Sequence, residues 1–197
     1  MTIKYNNVFI EDAYTICGNY ENDGPLSKYF DKKYEKDLYF GEKSWEQAEV
    51  HLLKEANTNI LNKNKLKEED IDLLISGDLQ NQIAASNYMA REFNIPFLGI
   101  FEACSTSGEG LAIGSTYIEG GFAQKILVST SSHNMAAEKQ FRNPTEYGTP
   151  KPKTATFTST GGVSILLSNK KSKVKVESST IGKVVDMGTT DVNHVGA

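Results

Sequence analysis

Short apolar runs alternate with amphipathic helical segments along most of the chain. Strands are predicted over four segments: 8–15, 71–76, 97–101 and 125–130. Helices are predicted between them: one from Ser44, one over 82–93 and one that begins just after Cys104. Strands that alternate with helices are typical of a parallel α/β layer rather than of a helical bundle or a sandwich. The pattern therefore predicts an α/β domain.

The helix that starts after Ser44 has the strongest periodicity. Ser44 with Gln47 three residues later is typical of a capping box. Six apolar residues follow at helical spacing, and Glu49 is the one polar residue among them: Trp45, Ala48, Leu52, Leu53, Ala56 and Ile60. The spacing predicts an amphipathic helix of about five turns.

Cys104 lies where a strand is predicted to hand over to a helix. The apolar run 97–101 predicts a central parallel strand, and Ser105 and the residues after it suit a helix start. Unpaired N–H groups and the helix dipole at such a point favour an anion. The context predicts either a cysteine nucleophile or a carboxylate-binding pocket. A small buried apolar residue is the alternative interpretation of Cys104.

Three polar side chains follow predicted strands at equivalent ends: Asp78, Cys104 and His133. Ligand sites in open α/β sheets gather at the carboxyl ends of the strands. We therefore expect the three side chains to converge. Taken singly, Asp78 is also suited to cap the next helix, and His133 is also suited to an ordinary loop.

The remainder of the chain carries one long polar segment and two further strand patterns. Residues 135–152 include Arg142 and are predicted to form a polar loop, which is typical of a lid, a binding surface or a disordered segment. A strand is predicted over 156–168, with a bulge or close backbone approach at Gly161–Gly162. An exposed antiparallel strand is predicted over 173–185.

Composition narrows the functional classes. The chain has 197 residues, 39% hydrophobic and 23% charged, with a net charge of -4. No basic stripe with interleaved aromatics is present, which argues against a nucleic-acid surface. Two cysteines without metal-ligand spacing argue against a disulfide framework and a zinc site. With no signal peptide or apolar span of membrane length at sequence level, we expect a soluble intracellular protein with no metal and no cofactor.

Several motifs resemble one family within the thiolase and ketoacyl synthase fold. Phe97-Leu98-Gly99-Ile100-Phe101-Glu102-Ala103-Cys104-Ser105-Thr106-Ser107 is similar to the stage V sporulation protein AD family of endospore formers. Further similar segments are 130–134, 137–142 and 144–148, and 160–167 fits the wider fold. The resemblance covers nearly the whole chain from Val8 onward.

The resemblance implies a fold and a function. It implies the N-terminal half of a thiolase-like α/β fold, a mixed, mostly parallel five-stranded sheet with flanking helices. It also implies a non-catalytic protein that binds dipicolinic acid, as its calcium chelate, for uptake into the developing spore. Ligand-binding residues carried over by motif are Cys104, Asp78 and His133, and Arg142 is added as a fork for a carboxylate. Asp78 is assigned to the calcium, which prefers oxygen ligands.

The resemblance also sets expectations for partners and location. Other spore channel proteins and a second copy of the chain are the expected partners, with the homodimer formed through the strand before Cys104. The expected location is peripheral, on the cytoplasmic side of the forespore or spore inner membrane. Residues 1–185 are expected to form the thiolase-like half, and 186–197 to begin a connection to a second half.

Two other functions remain open at this stage. One is a thiolase-like acyltransferase with Cys104 as its nucleophile, which would need a general base such as a histidine. The other is a scaffold that binds proteins through the Trp45 helix or the 135–152 segment, with an inert Cys104.

Overall fold

A computed structural model describes residues 1–141 and 158–190. Its strands are β1 Thr2–Lys4, β2 Phe9–Cys17, β3 Lys32–Lys33, β4 Leu73–Gly77, β5 Phe97–Gly99, β6 Lys125–Ser132, β7 Gly161–Ser168, β8 Val174–Lys175 and β9 Ser178–Thr180. Its α-helices are α1 Asn19–Asn22, α2 Trp45–Asn64, α3 Ala84–Ala90, α4 Thr106–Glu119 and α5 Asn134–Phe141. Single 3₁₀ turns cover Ser27–Tyr29, Glu68–Asp70, Asn81–Ile83 and Ala103–Ser105. The order alternates strands with helices through the middle of the chain, as the sequence predicts.

The main sheet has the order β3-β2-β7-β6-β4-β5, and β8 adds to β2. β4 pairs in parallel with both β5 and β6, whereas β7 runs antiparallel to its neighbours β2 and β6. Four of the five longer strands therefore point the same way. The predicted mixed, mostly parallel five-stranded sheet is confirmed, and the two-residue strands β3 and β8 extend it.

Both faces of the sheet are covered by helices. Leu74, Leu127 and Leu166 pack with α2 and α3 in one cluster, whereas their chain neighbours Ile75, Val128 and Leu167 pack in a second cluster with Ile118 of α4. Successive side chains of a strand point to opposite faces, so these strands are apolar on both sides. The sequence of these strands is therefore continuously apolar because both of their faces are buried under helices.

Helix α2 forms as predicted over Trp45–Asn64. The Ser44 hydroxyl accepts a hydrogen bond from the Gln47 amide at 3.2 Å, and Lys65, at φ 55°, ends the helix in the left-handed region. The Gln47 side chain accepts from the amide of Lys43 rather than from that of Ser44. Gln47 therefore binds one residue earlier than in a standard capping box.

Several predicted boundaries are wrong in instructive ways. The predicted central strand 97–101 is β5, only Phe97–Gly99, and it lies at the sheet edge. An apolar run cannot distinguish these positions, because an edge strand also packs on the core: Phe97 packs against one cluster and Leu98 against the other. The helix predicted over 82–93 begins at Ala84, since Gln82 and Ile83 have positive φ and cannot continue a right-handed helix.

Differences also occur in the last third of the chain. The strand predicted over 156–168 begins at Gly161, and residues 156–157 lie outside the described residues. The strand predicted over 173–185 is two short antiparallel strands, β8 with β2 and β9 with β1. In the parts of the chain that the structure describes, no helix has both the length and the apolar character needed to cross a bilayer.

Gly77 sets the distance between β4 and the segment that carries Cys104. A Cβ atom at Gly77, the last residue of β4, would lie 2.2 Å from the carbonyl oxygen of Ile100 and 2.5 Å from Cγ2 of Thr106. A backbone oxygen cannot move aside as a flexible side chain can. Gly77 therefore allows the start of α4 to approach the end of the sheet.

We predict opposite effects for alanine at two glycines near this contact. Gly77→Ala should lower the free energy of unfolding by about 3 kcal/mol because of the overlap with Ile100. Gly108→Ala on α4, where an added Cβ meets nothing within 4 Å, should raise it by up to about 1 kcal/mol through helix propensity. Urea denaturation of both variants measures the difference. Equal stability of the two variants would contradict the close approach.

Candidate functional site: a hydroxyl-rich cavity at the strand ends

A cavity of about 500 Å³ opens at the carboxyl ends of β4 and β6. Eight of its lining residues are serine or threonine: Thr15, Thr106, Ser107, Thr130, Ser131, Ser132, Thr158 and Ser159. The volume lies in the range typical of small-molecule sites. Asp78 and Cys104 also line the cavity, and no lysine, arginine or histidine is among the described residues of its wall. The wall therefore offers many hydroxyl groups and little positive charge.

Cys104 lies on the strained turn that leads into α4. Ala103 before it has a φ of 45°, in the left-handed region that residues with a Cβ seldom adopt. Cys104 is an exposed free cysteine, whereas Cys17 is buried. The interpretation of Cys104 as a buried apolar residue is therefore wrong, and its thiol is accessible from the cavity.

The first turn of α4 faces the same cavity. Thr106 and Ser107 line the wall, and the N-cap Ser105 makes no side-chain cap hydrogen bond within the described residues. The Ser105 hydroxyl donates instead to the carbonyl oxygen of Glu102 at 2.9 Å. Helix N-termini carry unpaired N–H groups and a partial positive charge. An anionic group in the cavity would meet that end of α4.

Asp78 supports the cavity wall from below. It is 1% exposed, and its two carboxylate oxygens accept the backbone N–H groups of Gln80 at 2.9 Å and Ser86 at 2.7 Å. These bonds hold the turn between β4 and α3, including the two left-handed residues before the helix. The sequence favours Asp78 as a cap of the following helix, and its bond to Ser86 in the first turn of α3 agrees with that role. Asp78 also lines the cavity.

His133 lies away from the cavity. It is fully buried, and its Nε2–H donates to the carbonyl oxygen of Leu38 at 2.7 Å, with the ring of Phe40 edge-on at 5.7 Å between centroids. Side chains alternate along a strand, so Ser129, Ser131 and His133 all point toward α2. The expected convergence of His133 with Asp78 and Cys104 is therefore wrong.

Burial also fixes the charge state of His133. Desolvation lowers the pKa of its imidazole below the usual 6.5, with the hydrogen bond to Leu38 acting in the opposite direction. The ring is thus neutral at pH 7, in the tautomer protonated at Nε2. Arg142, the fourth candidate residue, lies outside the described residues, and its assignment stays a prediction.

Sequence reasoning missed a buried carboxyl group behind the cavity. Glu49 of α2 is fully buried, accepts from the Ser131 hydroxyl at 3.0 Å, and accepts from the Gln80 amide at 2.8 Å. Burial, together with the nearby charge of Asp78, raises the pKa of Glu49 to about 7, although the bonds from Gln80 and Ser131 oppose the rise. A usable signal was present: Glu49 is a charged residue among the apolar positions of α2, whose buried face otherwise carries only the polar residue Asn57.

No group of three or more histidine, cysteine or acidic side chains suited to a metal ion occurs among residues 1–141 and 158–190.

Comparison with known proteins identifies the family. The family model described as stage V sporulation protein AD matches residues 1–197. The chain is also 48% identical over 190 residues to stage V sporulation protein AD of Bacillus subtilis, covering 96% of this chain and 56% of that protein. This chain belongs to the stage V sporulation protein AD family. It spans little more than half the length of that relative.

Solved structures show the fold independently. OleA of Xanthomonas campestris, in one variant, matches with a TM-score of 0.55 at 14% identity, over 84% of this chain and 59% of that one. The 3-oxoacyl-(acyl carrier protein) synthase III of Xanthomonas oryzae matches at 0.53 and 13%, over 84% and 57%. The predicted thiolase-like fold is confirmed. The division at residue 185 stays a prediction.

We predict that Glu49 makes the stability of the ligand-free protein depend on pH. Its pKa is raised from 4.5 to about 7 in the folded state, so its contribution is complete below pH 4.5 and is lost as the pH rises to 7. The wild-type free energy of unfolding should fall by about 2 to 3 kcal/mol relative to Glu49→Gln between pH 5 and pH 8. Urea denaturation at both pH values measures this change.

Glu92→Gln, two residues after α3, is the matched control. Its bond to Lys54 lowers the pKa of exposed Glu92, so Glu92 is largely ionised from pH 5 upward. The variant keeps Glu49, and its difference in stability from wild type should stay nearly constant between pH 5 and pH 8. A difference between wild type and Glu49→Gln that stays constant from pH 5 to pH 8 would show that Glu49 does not titrate in this range.

Proposed function

We propose that this chain is a non-catalytic ligand-binding protein that binds dipicolinic acid, as its calcium chelate, for uptake into the developing spore. The observation that carries the proposal is the hydroxyl-rich cavity at the strand ends, in a member of a sporulation family. Dipicolinate is a small planar molecule with two carboxylates, and the cavity volume of about 500 Å³ is ample for it.

The wall chemistry favours the chelate. Serine and threonine hydroxyls and the N-terminus of α4 suit carboxylate oxygens. The described wall contains no basic side chain, so a chelated calcium ion would supply the balancing charge. Asp78 contributes the one acidic side chain of that wall and is the residue we assign to the calcium side of the ligand. Cys104 and Ser107 would border the carboxylate that faces α4, and Arg142 remains our candidate for the second carboxylate.

An acyltransferase function has less support from this chain. Neighbours with the fold include a 3-oxoacyl synthase, and Cys104 lines the cavity as a nucleophile would. Covalent catalysis by a thiol needs a base within hydrogen-bond reach. The imidazole of His133 is turned away and donates to Leu38, and no other histidine lines the described wall.

The proposal includes partners and a location. A homodimer is proposed through β5, because this strand lies at the sheet edge and leaves one row of backbone groups available for pairing. Phe101, 54% exposed just beyond β5, adds apolar surface there. Other spore channel proteins are the further proposed partners, at the cytoplasmic side of the forespore or spore inner membrane, where the protein would be peripheral.

Isothermal titration calorimetry with calcium dipicolinate tests the proposal. We expect saturable one-site binding by the folded chain, and Cys104→Phe should weaken it at least about tenfold because the ring would fill the cavity beside α4. His51→Ala, on a separate groove along α2, should bind as wild type does. No heat of binding from the folded wild type, or equal affinity of Cys104→Phe, would overturn the proposed site.

A further inference from the structure

The carboxyl group of Glu49 connects two segments of the cavity wall. Its Oε1 accepts from the hydroxyl of Ser131, at the end of β6, and its Oε2 accepts from the side chain of Gln80. Gln80 in turn donates its backbone N–H to Asp78 at the end of β4. Ser131 and Asp78 both line the cavity. Apolar packing alone would not require a carboxyl group at this fully buried position. The contacts of Glu49 therefore need another explanation.

Among the described residues, the groups that bind Glu49 or act on its charge include no cation. Asp78 lies near the Glu49 carboxyl group on the β4 side, and the backbone N–H of His133 donates to that carboxyl group on the β6 side. The imidazole of His133 is neutral, because burial lowers its pKa. One turn earlier on α2, Glu46 is paired with Lys139 of α5 at 2.8 Å. A negative charge at Glu49 is therefore stabilised by hydrogen bonds alone and opposed by the charge of Asp78.

We propose that Glu49 is a positioning residue that couples the binding of an anionic ligand in the Cys104 cavity to the uptake of one proton by its own carboxyl group. This inference rests on the proposed function, because it concerns the same cavity and a dicarboxylate ligand. When calcium is absent, the proton on Glu49 supplies part of the balancing charge that the described wall lacks.

Two physical effects produce the coupling. A carboxylate ligand beside Ser131 adds a second like charge near Glu49, which favours the protonated carboxyl. A protonated Glu49 can also donate to the Ser131 oxygen, and the Ser131 hydroxyl hydrogen is then released toward the cavity. The proton comes from solvent and resides on a carboxylate oxygen, so no other reactant is needed. The wall thus changes from acceptor to donor when an anion arrives.

The sign of the pH dependence follows from this coupling. Proton uptake on binding means that the affinity is higher at low pH and lower at high pH. If the ligand raises the pKa of Glu49 by one unit, the affinity should be about tenfold weaker at pH 9 than at pH 6. Carboxyl groups of the ligand itself are ionised throughout this range, since their ordinary pKa is about 4.

Calorimetric titration of the 197-residue chain with calcium-free dipicolinate, in two buffers of different ionisation enthalpy, counts the protons directly. At pH 7.5 we expect wild type to take up about half a proton per ligand. Glu49→Gln keeps an amide that can donate to Ser131 but cannot titrate, so it should take up none and vary less than about twofold in affinity between pH 6 and pH 9. Glu92→Gln should behave as wild type.

The outcomes separate this inference from the proposed function. Binding without proton uptake by wild type overturns the role of Glu49 and leaves the binding function standing, and this result does not depend on whether Glu49→Gln folds. Uptake that persists in a folded Glu49→Gln also overturns it. Binding of the calcium chelate but not of the dianion overturns it as well, because the cavity then takes no anion. Failure of both ligands to bind overturns the proposed function and the inference together.

Discussion

Buried hydrogen bonds from Asn57 and Glu49 join helix α2 to the sheet, and the geometry of the cavity depends on these bonds. Asn57 donates to the Ser129 hydroxyl at 3.2 Å and accepts from the Ser164 hydroxyl at 2.7 Å, which ties α2 to β6 and β7. Two turns earlier, Glu49 binds Ser131 farther along β6. Apolar contacts alone are not directional, whereas these bonds fix where the helix sits along the strands. The ends of β4 and β6 are thereby held in place around the cavity.

The strands, the helices and the strand-to-helix junction at Cys104 could be predicted from the sequence, because each depends on the local spacing of apolar and polar residues. The long apolar face of α2 and the two apolar faces of β4 and β6 are examples. The edge position of β5 does not follow, since Phe97–Gly99 has the same apolar character as a central strand. Strand β7 lies far along the chain from β2 and completes the sheet. Its antiparallel pairing with β2 and β6 depends on tertiary contacts, which local sequence patterns do not contain.

The site was predictable only in part for a related reason. Asp78 and Cys104 reach the cavity because both lie beyond the carboxyl ends of parallel strands, Asp78 directly after β4 and Cys104 five residues after β5. His133 also follows such a strand, yet it lies one residue beyond β6 on the same side as Ser129 and Ser131, and its side chain is turned toward Leu38. The hydroxyl wall uses Thr15 and Ser159, which lie far apart in sequence and reach the same cavity because β2 pairs with β7. The chain thus combines a thiolase-like fold with a cavity in which the described residues offer Cys104 no imidazole partner.

Chemical-shift mapping by ¹⁵N NMR tests the central claim most directly, because it locates the ligand without any substitution. On addition of calcium dipicolinate, the account predicts the largest amide shifts at Thr106, Ser107 and residues 130–132, with smaller changes behind the wall at Gln80. Shifts confined to the groove between α2 and α3, around His51 and Tyr88, would contradict it. So would a spectrum of the folded chain that does not change at all.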